Sequence, residues 1–472
     1  MNEESGMTNE SSMTRRDVLK ASTAPLLLAL GSGLSFAGDT PPNIVFIVAD
    51  DLGYADLSCY GRRDYKTPNI DSIASGGTKF TQAYANSAVC SATRTALITG
   101  RYQYRIPVGL DEPLGMRDVG MPSEHPTLPS SLKKAGYQTM LIGKWHLGNR
   151  PNYGPRKSGY DHFWGFYGGG VDYFSHKGNP AKDAPSELWH DDNRIQPTGY
   201  LTDLLGDRAV NVIYTYARAK KPFMISLHFN APHWPWEGPN DEEASRKLRS
   251  IYGFDNGSLK TYASMVTRLD FQVGRVLKAL ETAGIAQNTI VIFTSDNGGE
   301  RFSDTWPHTG KKTELLEGGL KVPALVKWPG HIAAGRTTEQ VCISMDWMPT
   351  LLAAAGASPA SDYPLDGADL LPVLTRNAKP IPRKLFWRYK FNSQSAVRDG
   401  DMKFLRIGKN TFLFNVVEDP MERANLKDRQ PDVYKRLMAD WDAWNKTMLN
   451  DPKSMSVGFT SSQLADHFIP DR

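Results

Sequence analysis

Four short runs along the chain, at residues 43–49, 137–143, 223–229 and 289–294, are apolar at nearly every position and show little alternation. Rich in Val, Ile, Leu and Phe, they have the pattern of parallel strands buried on both faces. Each leads into polar residues: Asp50 and Asp51 after the first, Lys144 and His146 after the second, His233 after the third, and Asp296 with Asn297 after the fourth. Open parallel sheets bind ligands outside the carboxyl ends of their strands, so these groups are expected to meet in one crevice.

Between the runs the apolar period lengthens. Tyr262, Met265, Val266, Leu269, Val273, Val276, Leu277 and Leu280 fall on one helix face. Strands alternating with helices predict an α/β domain over residues 38–380, a mostly parallel sheet with helices on both faces. Residues 148–199, rich in Gly, Pro, Asp, His and aromatics, have no period and read as loop, where specificity resides. No internal repeat is present. From residue 381 to 472 the pattern changes. Strand-like runs at 385–389, 395–398, 402–407 and 412–417 predict a smaller C-terminal α+β domain built on an antiparallel sheet. Its closing helix carries Val433, Leu437, Trp441 and Trp444 at helical spacing.

The length of 472 residues suits a large catalytic domain with a smaller companion. With 55 basic and 51 acidic residues, the net charge of +4 creates no whole-chain field, and nucleic acid is not expected as a partner. Cys59, Cys90 and Cys342 are too few and too scattered for a disulfide framework or a zinc cluster. At the start, Arg15-Arg16 precede an apolar run at 24–30 and the small-residue site Ser35-Phe36-Ala37. The run is too short to span a bilayer. The segment 1–37 resembles a bacterial twin-arginine export signal. That resemblance implies cleavage after Ala37, use of the twin-arginine export machinery, and a periplasmic or secreted protein that crosses the membrane folded.

The string Cys90-Ser91-Ala92-Thr93-Arg94-Thr95-Ala96-Leu97-Ile98-Thr99-Gly100-Arg101 resembles the sulfatase signature Cys-x-Pro/Ala-x-Arg followed by x-x-Leu-x-Thr-Gly-Arg. A lone cysteine is more often a buried structural thiol. Here Arg94, Leu97, Thr99, Gly100 and Arg101 are all in register with the signature. The resemblance implies the alkaline-phosphatase-like fold. It also implies that a formylglycine-generating maturation enzyme oxidises Cys90, and that the hydrated product supplies one hydroxyl as nucleophile and a second to expel sulfate.

Asp50, Asp51, Asp296 and Asn297 offer three carboxylates and an amide oxygen, hard ligands suited to calcium or magnesium. The resemblance assigns all four, together with the modified Cys90, to calcium. Gly143-Lys144-Trp145-His146-Leu147-Gly148 is similar to a family string in which the lysine binds sulfate and the histidine contacts the nucleophile. His233, in Ala231-Pro232-His233, matches a sulfate-contacting histidine and is a candidate general acid. The segment from Gly310 to Gly319 resembles a family segment in which a lysine before Glu-Gly-Gly reaches the leaving oxygen, and counting back from Glu317 selects Lys312 for that role, with Lys311 as the alternative. Arg94 is implied to hold the modified Cys90, and His228 reads as a packing residue. The segment Asp419-Pro420-Met421-Glu422-Arg423-Ala424-Asn425-Leu426 resembles the family's closing signature and reads as architectural.

Asp172, His176, Arg301 and His308 are nominated for sugar hydroxyls or a second sulfate, and Trp234 and Trp236 for stacking on a sugar ring. The expected activity is hydrolysis of a sulfate ester of a sulfated carbohydrate. Two alternatives remain open at this point: a phosphonate monoester hydrolase or phosphodiesterase of the same superfamily, and a non-catalytic protein that binds sulfated glycans.

Overall fold

The run Asn43–Ala49 forms the first strand, β1, and every one of its side chains is buried. In this computed structural model residues 40–115, 118–180, 183–251 and 256–451 are described, so the export segment at 1–37 lies outside the described residues. The further strands are β2 (Thr78–Phe80), β3 (Ala83–Tyr84), β4 (Gln138–Lys144), β5 (His162–Phe166), β6 (Leu188–His190), β7 (Asn193–Arg194) and β8 (Phe223–His228). They continue as β9 (Thr289–Ser295), β10 (Ala324–Lys327), β11 (Arg336–Thr338), β12 (Cys342–Ile343), β13 (Lys384–Tyr389), β14 (Gln394–Asp399), β15 (Met402–Ile407) and β16 (Asn410–Asn415).

A ten-stranded sheet runs in the order β11-β2-β10-β9-β1-β8-β4-β5-β6-β7. Its centre, β9-β1-β8-β4-β5, is parallel. Burial on both faces explains the unbroken apolar runs. Val45 and Ile47 of β1 enter one core cluster with the helices Leu201–Ala219 and Leu259–Thr282. Ile44, Phe46 and Val48 enter another with the helices Leu128–Lys134, Trp347–Ala354 and Leu371–Arg376. Ser258 caps the long helix by accepting from the Thr261 N–H at 3.1 Å.

Register decides where the chemistry lands. Ala49 pairs with Ser295, Val48 with His228, and Gly143 with His228. Asp50, Asp296 and Lys144, each the residue following Ala49, Ser295 or Gly143, therefore emerge at the same sheet edge.

The reading of residues 148–199 as loop is corrected in part, because β5, β6 and β7 lie within it. These strands are short, and Gly165 of β5 sits so close to Gly143 that an added Cβ would lie 1.9 Å from its carbonyl oxygen. Such a strand is held by its neighbours, not by a pattern of its own.

The C-terminal sheet, β13-β14-β15-β16, is antiparallel throughout. The helix Pro431–Asn445 buries Leu437 and Trp441 against Val397, Phe404 and Leu413 on one face. On the other, Leu385, Trp387, Tyr389, Ala396 and Leu405 join Ala88, Val89, Ala92 and Ala96 in one cluster, so this sheet packs against the helix that begins at Cys90.

Candidate active site

The helix Cys90–Thr99 opens on Cys90 itself, preceded by extended Val89, which provides no side-chain cap. The thiol thus sits among first-turn N–H groups and the positive end of a helix, a setting that favours negative charge. Cys90 is 2 % exposed, and its Sγ lies 3.2 Å from His146 Nδ1. The other ring nitrogen, Nε2, is 3.0 Å from the Leu114 carbonyl. A carbonyl only accepts, so Nε2 carries the proton and Nδ1 turns a lone pair toward Cys90. Burial, reinforced by Lys144, holds this imidazole well below its ordinary range and therefore neutral.

Around this pair, carboxylates and cations alternate. Arg94, one turn after Cys90, donates to Asp296 Oδ2 from Nε at 2.9 Å. Lys144 meets Asp50 Oδ2 at 2.5 Å, and Lys312 meets Asp51 Oδ2 at 2.6 Å. Asp51 has a positive φ of 61°, which carries the chain sharply away after two acidic side chains. Asn297 donates through Nδ2 to Asp51 Oδ1 at 2.8 Å. His233 has Nε2 3.6 Å from Asp51 Oδ2, while its Nδ1 donates to the Trp234 carbonyl at 2.6 Å. Burial, with Lys312 and Lys144, holds His233 neutral too. For Lys312, burial pulls the ammonium down, but Asp51 together with the other acidic groups around it more than offsets this and keeps the group charged.

The donor set fits a hard divalent cation. Burial and the neighbouring Asp296 push the Asp50 carboxyl well up, a crowding of negative charge that a cation relieves. Asp50 Oδ1 and Asn297 Oδ1 are buried without a hydrogen-bond partner, and Asp50, Cys90 and Asp296 each offer a ligand atom within 4.8 Å of the others. Oxygen donors of this kind suit calcium or magnesium.

The nominated substrate residues are placed differently. Asp172 is fully buried and spends Oδ1 on the backbone N–H groups of Phe174 and Ser175, at 3.0 and 2.6 Å, besides meeting the Ser245 hydroxyl. His176 is 1 % exposed and bonds the Gly199 carbonyl through Nε2. Both are buried and bond within their own loop. His308 packs edge-on to Tyr54 and bonds the Pro420 carbonyl. Arg301 lies over the Trp236 ring at 5.0 Å, and Trp236 is itself buried against Phe302. Trp234 is partly buried beside His233, with ring centroids 4.0 Å apart, and Lys312 Nζ is 5.8 Å from it.

Residues 42–357 match the family model named Sulfatase. The chain belongs to the sulfatase family. Residues 310–444 also match a model for the C-terminal region of N-sulphoglucosamine sulphohydrolase. The N-acetylgalactosamine-6-sulfatase of Rattus norvegicus is 34% identical over 401 residues, covering 80% of this chain and 74% of that one. Arylsulfatase A of Homo sapiens is 34% identical over 411 residues, covering 80% and 77%. Among solved structures, Ps i-CgsB in complex with k-i-k-neocarrahexaose superposes with a TM-score of 0.81 at 32% identity, covering 89% of this chain and 96% of that one. The protein is a sulfuric ester hydrolase.

Several groups that shape the sulfatase site escaped sequence reasoning. His228, read as a packing residue, has Nδ1 3.2 Å from Arg94 and 3.3 Å from the Lys144 carbonyl, which Arg94 also reaches at 3.3 Å, so the ring packs where Arg94 meets the end of β4. Burial and Arg94 lower this histidine to about 3. Behind Lys312, the loop is clamped from the C-terminal sheet. Gln394 accepts from the Leu315 N–H at 2.8 Å and donates to the Thr313 carbonyl at 2.9 Å. Glu422 accepts from the Glu317 N–H at 2.6 Å. Lys403, wholly buried, bridges Glu317 at 3.0 Å and Glu422 at 2.8 Å. Lys403→Met leaves two buried carboxylates facing each other and is expected to cost about 3–5 kcal/mol in urea unfolding. An unchanged midpoint would show that the triad contributes nothing to the fold.

His308 sets a pH dependence. Burial, with Lys321 nearby, lowers it to about 4 from an ordinary 6.5. Its folded pKa lies below the unfolded one, so the unfolded chain binds the proton first as pH falls. Stability present above pH 6.5 is then lost toward pH 4, by up to about 3 kcal/mol from this group. His308→Gln is expected to flatten that part of the stability–pH curve; a superimposable slope would remove His308 as its source.

Proposed function

We propose that this sulfatase removes sulfate from a sulfated carbohydrate, with Cys90 oxidised to formylglycine and a calcium ion held by Asp50, Asp51, Asp296, Asn297 and the modified Cys90. The observation that carries the reading is the meeting of Cys90 Sγ with His146 Nδ1 at 3.2 Å beside three buried carboxylates. When present, the hydrated formylglycine supplies one hydroxyl to attack sulfur and another to expel sulfate, while the cation supplies positive charge for the oxygens around it.

The remaining roles follow from the chain's own groups. His146 accepts a proton at Nδ1, the atom facing Cys90, and its orientation is fixed by the Nε2 bond to Leu114. Arg94 holds the position of the modified side chain. Lys144 and Lys312, both buried, provide positive charge for the sulfate oxygens. His233, oriented by its Nδ1 bond to Trp234, serves the leaving oxygen through Nε2. An arriving sulfate offsets the two lysines that keep this ring neutral, so its proton affinity rises when an acid is needed.

The carbohydrate reading is supported by the names of the similar proteins, an N-acetylgalactosamine-6-sulfatase and Ps i-CgsB in complex with k-i-k-neocarrahexaose. The Arg15-Arg16 segment supports export through the twin-arginine machinery to the periplasm or beyond, after a maturation enzyme has acted on Cys90. Among the described residues no helix is long and apolar enough to cross a membrane. Sulfate release from a panel of sulfated oligosaccharides, produced with a maturation enzyme present, tests the substrate class. At least one oligosaccharide is expected to exceed an aryl sulfate in kcat/KM; turnover of the aryl sulfate alone would refute the carbohydrate assignment.

A further inference from the structure

One strongly charged surface adjoins the site without belonging to it. Tyr167 stands at the end of β5, and its carbonyl accepts from the His146 N–H at 3.0 Å. Three residues on, Gly170 lies against His233, where an added Cβ would meet the ring at 3.2 Å. Three residues span at most about 11 Å of extended chain, so Tyr167 borders the catalytic histidines. Outward from the site, the Tyr167 ring meets the Trp189 ring of β6 at 5.8 Å between centroids.

Trp189 is flanked by guanidinium groups. Arg150, four residues after His146, lies 5.0 Å from the ring centre, and Arg194 of β7 lies 4.8 Å from it. Arg156 adds a third exposed cation. Among the described residues Asp192, 59% exposed, pairs with both Arg150 and Arg156. Asp191 bonds His162 and the Phe163 N–H and also feels the charge of Arg156. Three cations beside two carboxylates leave a local positive excess on a protein whose charges otherwise nearly cancel. Exposed ion pairs are weak, so a sulfate can displace Asp192 from a guanidinium, which offers a planar fork to such an anion.

We propose that Arg150, Arg156 and Arg194, arrayed around Trp189 beside the catalytic pocket, form a secondary subsite for the anionic groups of a polysulfated glycan chain whose reacting ester occupies the pocket. The proposal rests on the carbohydrate reading above and deepens it. The subsite selects polyanionic chains over singly charged esters, with Trp189 holding Arg150 and Arg194 in place. The competing explanation is that the arginines merely protect β7, the edge strand of the large sheet, from pairing with other chains.

The test uses a short fluorescein-labelled dextran sulfate, followed by anisotropy, with wild type, the double variant Arg150→Ala/Arg194→Ala, and a charge-matched control, Lys435→Ala/Arg436→Ala, at exposed positions of the C-terminal helix Pro431–Asn445. Thermal unfolding reports folding, and the ratio of kcat/KM for a polysulfated oligosaccharide to that for an aryl sulfate reports selectivity. The Arg150/Arg194 variant is expected to weaken dextran sulfate binding about tenfold, to show a shallower salt dependence, and to lower the selectivity ratio, with the control matching wild type. Equal affinity of the two double variants overturns the subsite, and a lowered unfolding midpoint alone assigns the arginines to edge protection. Failure of the wild type to bind dextran sulfate also overturns it. The carbohydrate reading fails separately, if no sulfated oligosaccharide releases sulfate while the aryl ester does.

Discussion

Replacing Cys90 with alanine is expected to lower kcat for sulfate ester hydrolysis by at least about 10⁴-fold, the scale of loss when an enzyme's nucleophile is removed. The side chain is small and 2 % exposed, and it begins a helix held by Ala92, Ala96 and the C-terminal sheet. Its loss is therefore expected to cost no more than about 1 kcal/mol of stability. That contrast separates chemistry from folding. His146, bonded to Leu114, keeps its place in the variant, and so do the carboxylates. Binding of an unreactive sulfate ester should thus survive while turnover does not. Turnover by Cys90→Ala within tenfold of the wild type would remove Cys90 from the reaction.

The second large effect concerns the cation. Asp296 accepts from Arg94 at 2.8 Å and from the Asp51 N–H at 3.3 Å, which puts its carboxylate at the centre of the nest. Burial pushes Asp296 up, yet Arg94 and Lys144 overcome this and hold it below the ordinary range, ionised and ready to ligate. Calcium at a hundredfold excess over its Kd is expected to raise the unfolding free energy by about 2.7 kcal/mol, and a chelator should reverse the gain. Asp296→Asn keeps the shape but removes the charge. It is expected to abolish both the calcium-induced rise in unfolding temperature and turnover. A calcium response equal to that of the wild type would mean that the ion, if bound, sits elsewhere.

Much of this arrangement was legible because local pattern and global fold agree. The run at 43–49 is apolar on both faces because β1 lies at the centre of the sheet, and that is why Asp50 and Asp51 reach the same edge as Asp296. The string from Cys90 to Arg101 and the pair Lys144 and His146 singled out residues that the fold brings together, and Lys312, not Lys311, is the lysine against Asp51. What stayed hidden depends on partners far apart in sequence. Glu317, Lys403 and Glu422 look like ordinary charged residues until β15 brings them together. His228 lies in an apolar run and gains its partner only when Arg94 arrives from the helix Cys90–Thr99. Asp172 and His176 were nominated from a loop without period, and their burial reflects the need of a long irregular segment for polar side chains that satisfy its own backbone. The strands β5 to β7 stay hidden because they are short, and because Gly165 of β5 makes sense only against β4.

The most direct test of the account is the mass of the Cys90 peptide, paired with sulfate release from an aryl sulfate, in protein made with a formylglycine-generating enzyme present. The account predicts formylglycine at Cys90 and stoichiometric release of inorganic sulfate, in proportion to the fraction modified. Fully modified Cys90 with no sulfate released from any ester, or equal release from wholly unmodified protein, would contradict it.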